Sequence, residues 1–155
     1  IGMQAGMNKT FSNLKWYGRG PIETYPGREM AAKVGIYSKT VQELYEPYIV
    51  PGDYGNRSDV RWAALTNDQG TGWLVSGDDL LNISAHLYST DNLDRATYTY
   101  QLKQDNAVYF NMDHVVSGLG TKFHAPRDQY QVKTKPYSFT VRLQPISNKD
   151  MVPGE

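Results

Sequence analysis

The sequence predicts an all-β, antiparallel fold, on three observations. Apolar and polar residues alternate with a period of two through segment after segment, as in strands with one buried face. Turn-forming clusters separate these segments at intervals of about 8–12 residues, the spacing of sandwiches and barrels. Helical periodicity is slight, and purely apolar stretches are only a few residues long, too short for the buried strands of a parallel sheet.

Segments 11–17 and 32–37 read as strands, divided by the turns Gly20-Pro21 and Tyr25-Pro26-Gly27. A single helical turn at 41–44 follows Thr40, and 48–50 reads as a short strand ahead of Pro51-Gly52-Asp53. Val60, Trp62 and Ala64 alternate with Asp59 and Arg61. The turn Asn67-Asp68-Gln69-Gly70 leads into a strand at 72–76, and Asp78-Asp79 suits another turn. Leu81, Ile83, Ala85 and Leu87 share the next apolar face, which leaves Asn82, Ser84 and His86 toward solvent. Ser89 or Thr90 can cap one or two helical turns over 90–96, and 98–102 reads as a strand. Val108, Phe110 and Met112, then Phe139, Val141 and Leu143, supply the last alternating sets. Trp16, Trp62 and Trp73 all fall on strand patterns and are expected to pack in the core or on the sheet rather than to contact a ligand. Residues 1–144 form one unit in this reading, and 145–155 a flexible tail.

Composition narrows the function classes. Sixteen Lys+Arg balance 16 Asp+Glu in 155 residues, so no basic field favours nucleic acid or a membrane surface. No apolar run approaches the length of a membrane-spanning helix. The absence of cysteine excludes disulfides, thiolate metal sites and thiol nucleophiles within the chain. Twelve tyrosines take the place of part of an aliphatic core, and each brings a hydroxyl that suits half-wet surfaces. The opening Ile1-Gly2-Met3-Gln4 lacks the features of a signal peptide and reads as a start within a structure.

Motifs for chemistry are sparse. Gly18-Arg19-Gly20, Gly70-Thr71-Gly72 and Gly118-Leu119-Gly120 lack the third glycine and the strand-to-helix setting of a phosphate loop. His86, His114 and His124 are too scattered for a close-spaced metal pair, so no metal site is expected. The carboxylates Glu23, Glu46, Asp53, Asp59, Asp78, Asp79 and Asp113 offer no pair in a setting that makes a general acid, and no catalytic residue is assigned. Two aromatic, Pro- and Arg-rich clusters stand out, at 16–28 and 45–62. Each suits either a rigid surface that stacks on sugar rings or a stiff loop pinned by Arg28 and Arg57.

These clusters carry a resemblance. WYGRGPIETYPGR, followed by YEPYIVPGDYGNRSDVRW, LLNISAHLYS and FNMDHVVSGLG, is similar to the C-terminal domain of the large multidomain beta-galactosidases of glycoside hydrolase family 2, from Ile1 to about Gln144. The resemblance implies an all-β antiparallel supersandwich, galactose mutarotase-like, of which this chain is the C-terminal part. It implies retaining hydrolysis of terminal β-D-galactosides by a parent enzyme whose catalytic glutamates and magnesium lie in another domain, with no cofactor in this one. Partners are then the remaining domains and the galactoside, and a homo-oligomer where the open sandwich is left uncovered. In the family a tryptophan two residues before a proline forms an aromatic wall for the substrate. Here His124 holds that position before Pro126, with Phe123 beside it, so these two are the candidate substrate-binding residues. Two other readings stand beside this one: a carbohydrate-binding module without catalysis, and a mutarotase-like epimerase using His114 or His124 with Glu23.

Overall fold

The computed structural model describes residues 1–120 and 124–149. Among them are the strands β1 (Gly2–Asn8), β2 (Asn13–Gly20), β3 (Lys33–Thr40), β4 (Arg57–Thr66), β5 (Gly72–His86), β6 (Ala107–Asp113) and β7 (Val141–Ile146), and the short helix α1 (Thr90–Arg95). The fold is all-β, with every strand pairing antiparallel. The sheet runs β1-β6-β5-β4-β2-β3, and β7 adds to β5.

The length of β5 organises the molecule. Its first part, Gly72 to Gly77, pairs with β7 and with the end of β4, whereas Asn82 to His86 pairs with β6. Exposed residues 78–80 lie between the two parts. The inner faces on both sides of this break meet in one core: Leu14, Trp16, Leu65 and Val75 pack with Ile83, Ala85, Val108, Phe110 and Met112. Val41 and Leu44, around a 3-10 turn at Gln42–Leu44, join the same cluster. A second cluster holds Tyr54, Tyr88 and Leu93 with Tyr45 and Leu102 against it, so tyrosine does serve as core.

Local chemistry accounts for the connections. In the β4–β5 turn Asn67 Oδ1 accepts the amides of Gln69 and Thr71 at 3.0 and 2.9 Å, and Gly70 takes φ +74°, where glycine has no steric penalty. Ser89 caps α1 by accepting the Asn92 amide at 3.3 Å.

Several expectations need correction. Residues 48–50 form a bend rather than a strand, and 98–102 contains a 3-10 turn at Thr99–Gln101. Asp78 and Asp79 sit inside β5, where Asp78 accepts from Arg142. An irregularity between Val60 and Trp62 breaks the alternation of β4. In a second irregularity, between Arg57 and Val60, Asp59 takes φ 54°, and Arg19 Nε holds its carboxylate at 2.5 Å. Val60, Ala63 and Leu65 therefore face the core cluster, while Trp62 packs on Tyr17 outside it. Trp73, expected in the core or packed on the sheet, lies in β5 and is 37% exposed. His86 lies on the polar face as read, but it is buried because Tyr54 covers it at a ring distance of 4.3 Å. β7 includes Pro145 and Ile146, beyond the boundary drawn at 144, and residues 150–155 of the expected tail lie outside the described residues.

Candidate functional site

Three loop regions, 21–32, 45–56 and the described residues of 114–120 and 124–131, gather around the two aromatic clusters, and Glu23 ties the first two together. Its buried carboxylate accepts from Arg28 Nη1 at 3.0 Å, from the Gly55 amide at 2.9 Å and from the Tyr48 hydroxyl. Hydrogen bonding by Tyr48, with Glu23 nearby, holds the Arg28 guanidinium more basic than usual. The Thr24 amide donates to the Asn56 carbonyl at 2.7 Å, and the Asn56 side chain donates back to the Thr24 carbonyl at 2.7 Å. This two-way link continues from Asn56 to Asn82 Oδ1 at 3.3 Å. Burial raises the pKa of both Tyr25 and Tyr54, so each stays a neutral phenol.

Arg57 lies beneath this surface, fully buried. It donates to the carbonyls of Gly55, Asn56 and Pro21 at 2.8, 3.3 and 3.2 Å, with its guanidinium 5.3 Å from the Trp16 ring centroid. The structural role expected for Arg28 is met by a carboxylate, and that for Arg57 by carbonyls and an indole.

The third segment closes against the first at Gly118 and packs on itself at Gly120. A Cβ on Gly118 would lie 2.6 Å from Tyr130 Cβ and 2.7 Å from the Pro26 oxygen; one on Gly120 would lie 2.6 Å from the His124 oxygen. Gly118 donates its amide to the Tyr130 carbonyl at 2.7 Å, and Gln131 Nε2 donates to the Pro126 carbonyl at 2.7 Å. The result is a cleft of about 350 Å³ lined by Pro26, Gly27, Arg28, Leu119, Arg127 and Tyr130. That size falls within the ~300–1,000 Å³ usual for small-ligand sites. His124 is exposed on the segment that forms one wall. Phe123, the other candidate, lies outside the described residues. Arg127 and Tyr130 follow the quoted motifs in sequence, and no spacing rule singled them out.

The remaining candidates are dispersed. His114 stacks on Phe139 at 5.2 Å with parallel rings, and its Nδ1 is 3.8 Å from Asp79 Oδ2. Glu23 is committed to three donors, which leaves it poorly placed as a base for either histidine. Among the described residues no group of three His, Asp or Glu could hold a metal ion, so these residues do not fit a magnesium site. No helix among them is long and apolar enough to cross a membrane.

Fold and site together define an all-β domain with a small polar and aromatic cleft at its loop end. Residues 1–143 match the family described as the beta galactosidase small chain, and the chain belongs to that family. It is 36% identical to a beta-galactosidase of Priestia megaterium over 94% of its length and 33% identical to one of Pseudoalteromonas haloplanktis over 92%. It is 32% identical to beta-galactosidase BgaC of Bifidobacterium adolescentis over 93%. In each case the chain spans about 14% of the relative's length.

Proposed function

We propose that the chain is an accessory part of a retaining beta-galactosidase, contributing one wall of the sugar or aglycone pocket and no catalytic group. The observation that carries this reading is the packing of Gly118 and Tyr130 against the Pro26–Gly27 turn, which opens a small cleft lined by Leu119 and Arg127 on either side of His124 in sequence. Rigid placement of a loop on a sheet scaffold is what a pocket wall needs. His124 would hydrogen-bond a sugar hydroxyl or stack weakly, with Phe123 as the second apolar contact. The paired glutamates of a double displacement, and the magnesium, would belong to other domains of the parent. Those domains are the natural cover for the apolar surface that the sheet leaves open, and a supersandwich completed by them would do so.

The test is kinetic, in the full-length parent. His124→Ala is expected to raise KM for galactosides roughly 2- to 10-fold with kcat little changed, the signature of lost binding in ground and transition state alike. His124→Trp should lower KM most for aromatic aglycones. Identical KM values in wild type and both variants would remove His124 from the pocket. The 155-residue chain alone should leave a chromogenic galactoside untouched.

A further inference from the structure

We propose a second carbohydrate site, remote from the His124 segment, in the groove between α1 and the 3-10 turn at Thr99–Gln101. The His124 segment leaves β6 from its Asp113 end; this groove precedes β6 at its Ala107 end. It is a shallow, solvent-open groove of about 840 Å³, long enough for more than one sugar ring. Tyr100 lines it and is 79% exposed. Tyr98 lies against Tyr100 with ring centroids 5.5 Å apart and planes within 10°. An exposed tyrosine braced by a parallel neighbour presents a flat apolar surface with its hydroxyl at the rim, the arrangement that a pyranose ring stacks on.

The platform is fixed before any ligand arrives. Gln101 Oε1 accepts the amides of Thr97 and Tyr98 at 2.7 and 3.1 Å, and the Gln101 amide donates to the Tyr98 carbonyl at 3.0 Å. Leu102, the next residue, packs on the Tyr54–Tyr88–Leu93 cluster. Across the groove Asp105 Oδ2 accepts the Ser89 amide at 2.9 Å, and Asn92 Nδ2 donates to the Lys103 carbonyl at 2.5 Å. Tyrosine held this way loses little entropy on binding.

Charge selects the ligand class. The ionic groups on the groove are Asp91 and Asp105 against Arg95 and Lys103, and Arg95 is paired with Asp91 at 2.8 Å. Such a balance gives no net field for a polyanion, while its donors and acceptors suit a neutral polyhydroxyl chain. The choice of galactose units rests on the proposed beta-galactosidase role: a second site would hold a β-galactan or oligosaccharide on the same molecule as the parent's pocket and so add effective concentration.

The test uses the full-length parent in native gels cast with β-1,4-galactan, with o-nitrophenyl β-galactoside turnover measured in parallel. Galactan should retard the wild type. Tyr100→Ala should weaken apparent affinity for galactan roughly 3- to 10-fold, Tyr100→Phe should keep it, and turnover of the small substrate should be the same in all three. No retardation of the wild type, or equal retardation of Tyr100→Ala, would overturn the site. Retardation that depends on Tyr100 in a protein without turnover would refute the hydrolase reading and retain the site; turnover without retardation would do the reverse.

Discussion

Arg57 and His86 are both buried, and each is held by backbone carbonyls rather than by a carboxylate partner of comparable burial. For Arg57 the planar guanidinium allows stacking on Trp16 while its donors reach three carbonyls, a combination lysine cannot copy. Burial lowers the Arg57 pKa, yet arginine keeps its charge. His86 behaves differently because imidazole can lose its proton. Its Nε2 is 2.7 Å from the Tyr54 carbonyl, which can only accept, so that nitrogen carries hydrogen. Burial pushes the His86 pKa down, against the pull of Asp53, whose Oδ1 is 3.6 Å from Nε2. The unfolded chain then binds a proton more readily than the native one, so native stability falls as pH drops below about 6.5, the ordinary histidine value. Asp113 acts in the opposite sense at lower pH. Burial raises its pKa despite the N-terminal amine, so stability increases as pH falls through the interval above its ordinary value. Urea unfolding of the chain between pH 7.5 and pH 5, on the order of one pH unit either side of the histidine value, should show a declining midpoint. His86→Gln, which keeps a donor toward Tyr54, should flatten that decline, and an unchanged slope would dissociate it from His86.

At the scale of elements, strands were legible wherever one face alone is buried. Val108, Phe110 and Met112 alternate in sequence and are buried in β6, and the same holds for Leu81, Ile83 and Ala85 in β5. Alternation misleads where the ladder is irregular: Trp62 follows the pattern of Val60, yet the break between them moves it off the core cluster. It also misleads at 98–102, where Gln101 closes a 3-10 turn that tyrosine and threonine propensities would not suggest. The candidate cleft was only half legible. His124 came from resemblance; Tyr130 and Arg127 became visible once Gly118 was seen to meet Tyr130 and Pro26 across long sequence separations. Gly118→Ala tests that closure. Its Cβ would overlap Tyr130 and the Pro26 carbonyl, so Gly118 and Tyr130 should lift away from the turn. Hydrogen exchange should speed up at Gly118, whose amide now bonds the Tyr130 carbonyl, while β4 and β5 amides keep their protection. Loss of protection throughout the sheet would instead make Gly118 a determinant of the whole fold.

At the scale of the whole molecule, apolar surface and strand edges lack a neighbour among the described residues. β1 pairs only with β6, β3 only with β2 and β7 only with β5 among the described residues. Between the two parts of the sheet a mainly apolar notch of about 230 Å³ opens, lined by Ala5, Met7, Trp73, Phe110, Met112 and Leu143. Met3 and Leu143 are 45% and 43% exposed, on strands that border it. Open edges beside apolar surface favour pairing with another chain. In the proposed parent the remaining domains would supply that cover. In the 155-residue chain alone a second copy should do so. Sedimentation at about 50 µM, within the range where exposed surface drives association, is expected to show dimers or larger species. The double variant Met3→Lys with Leu143→Lys should shift the population to monomer without unfolding it, because neither side chain is in the buried core. A monomeric wild type would mean that the notch and edges are too small to associate, and the open face would then need the parent's own domains to be covered at all.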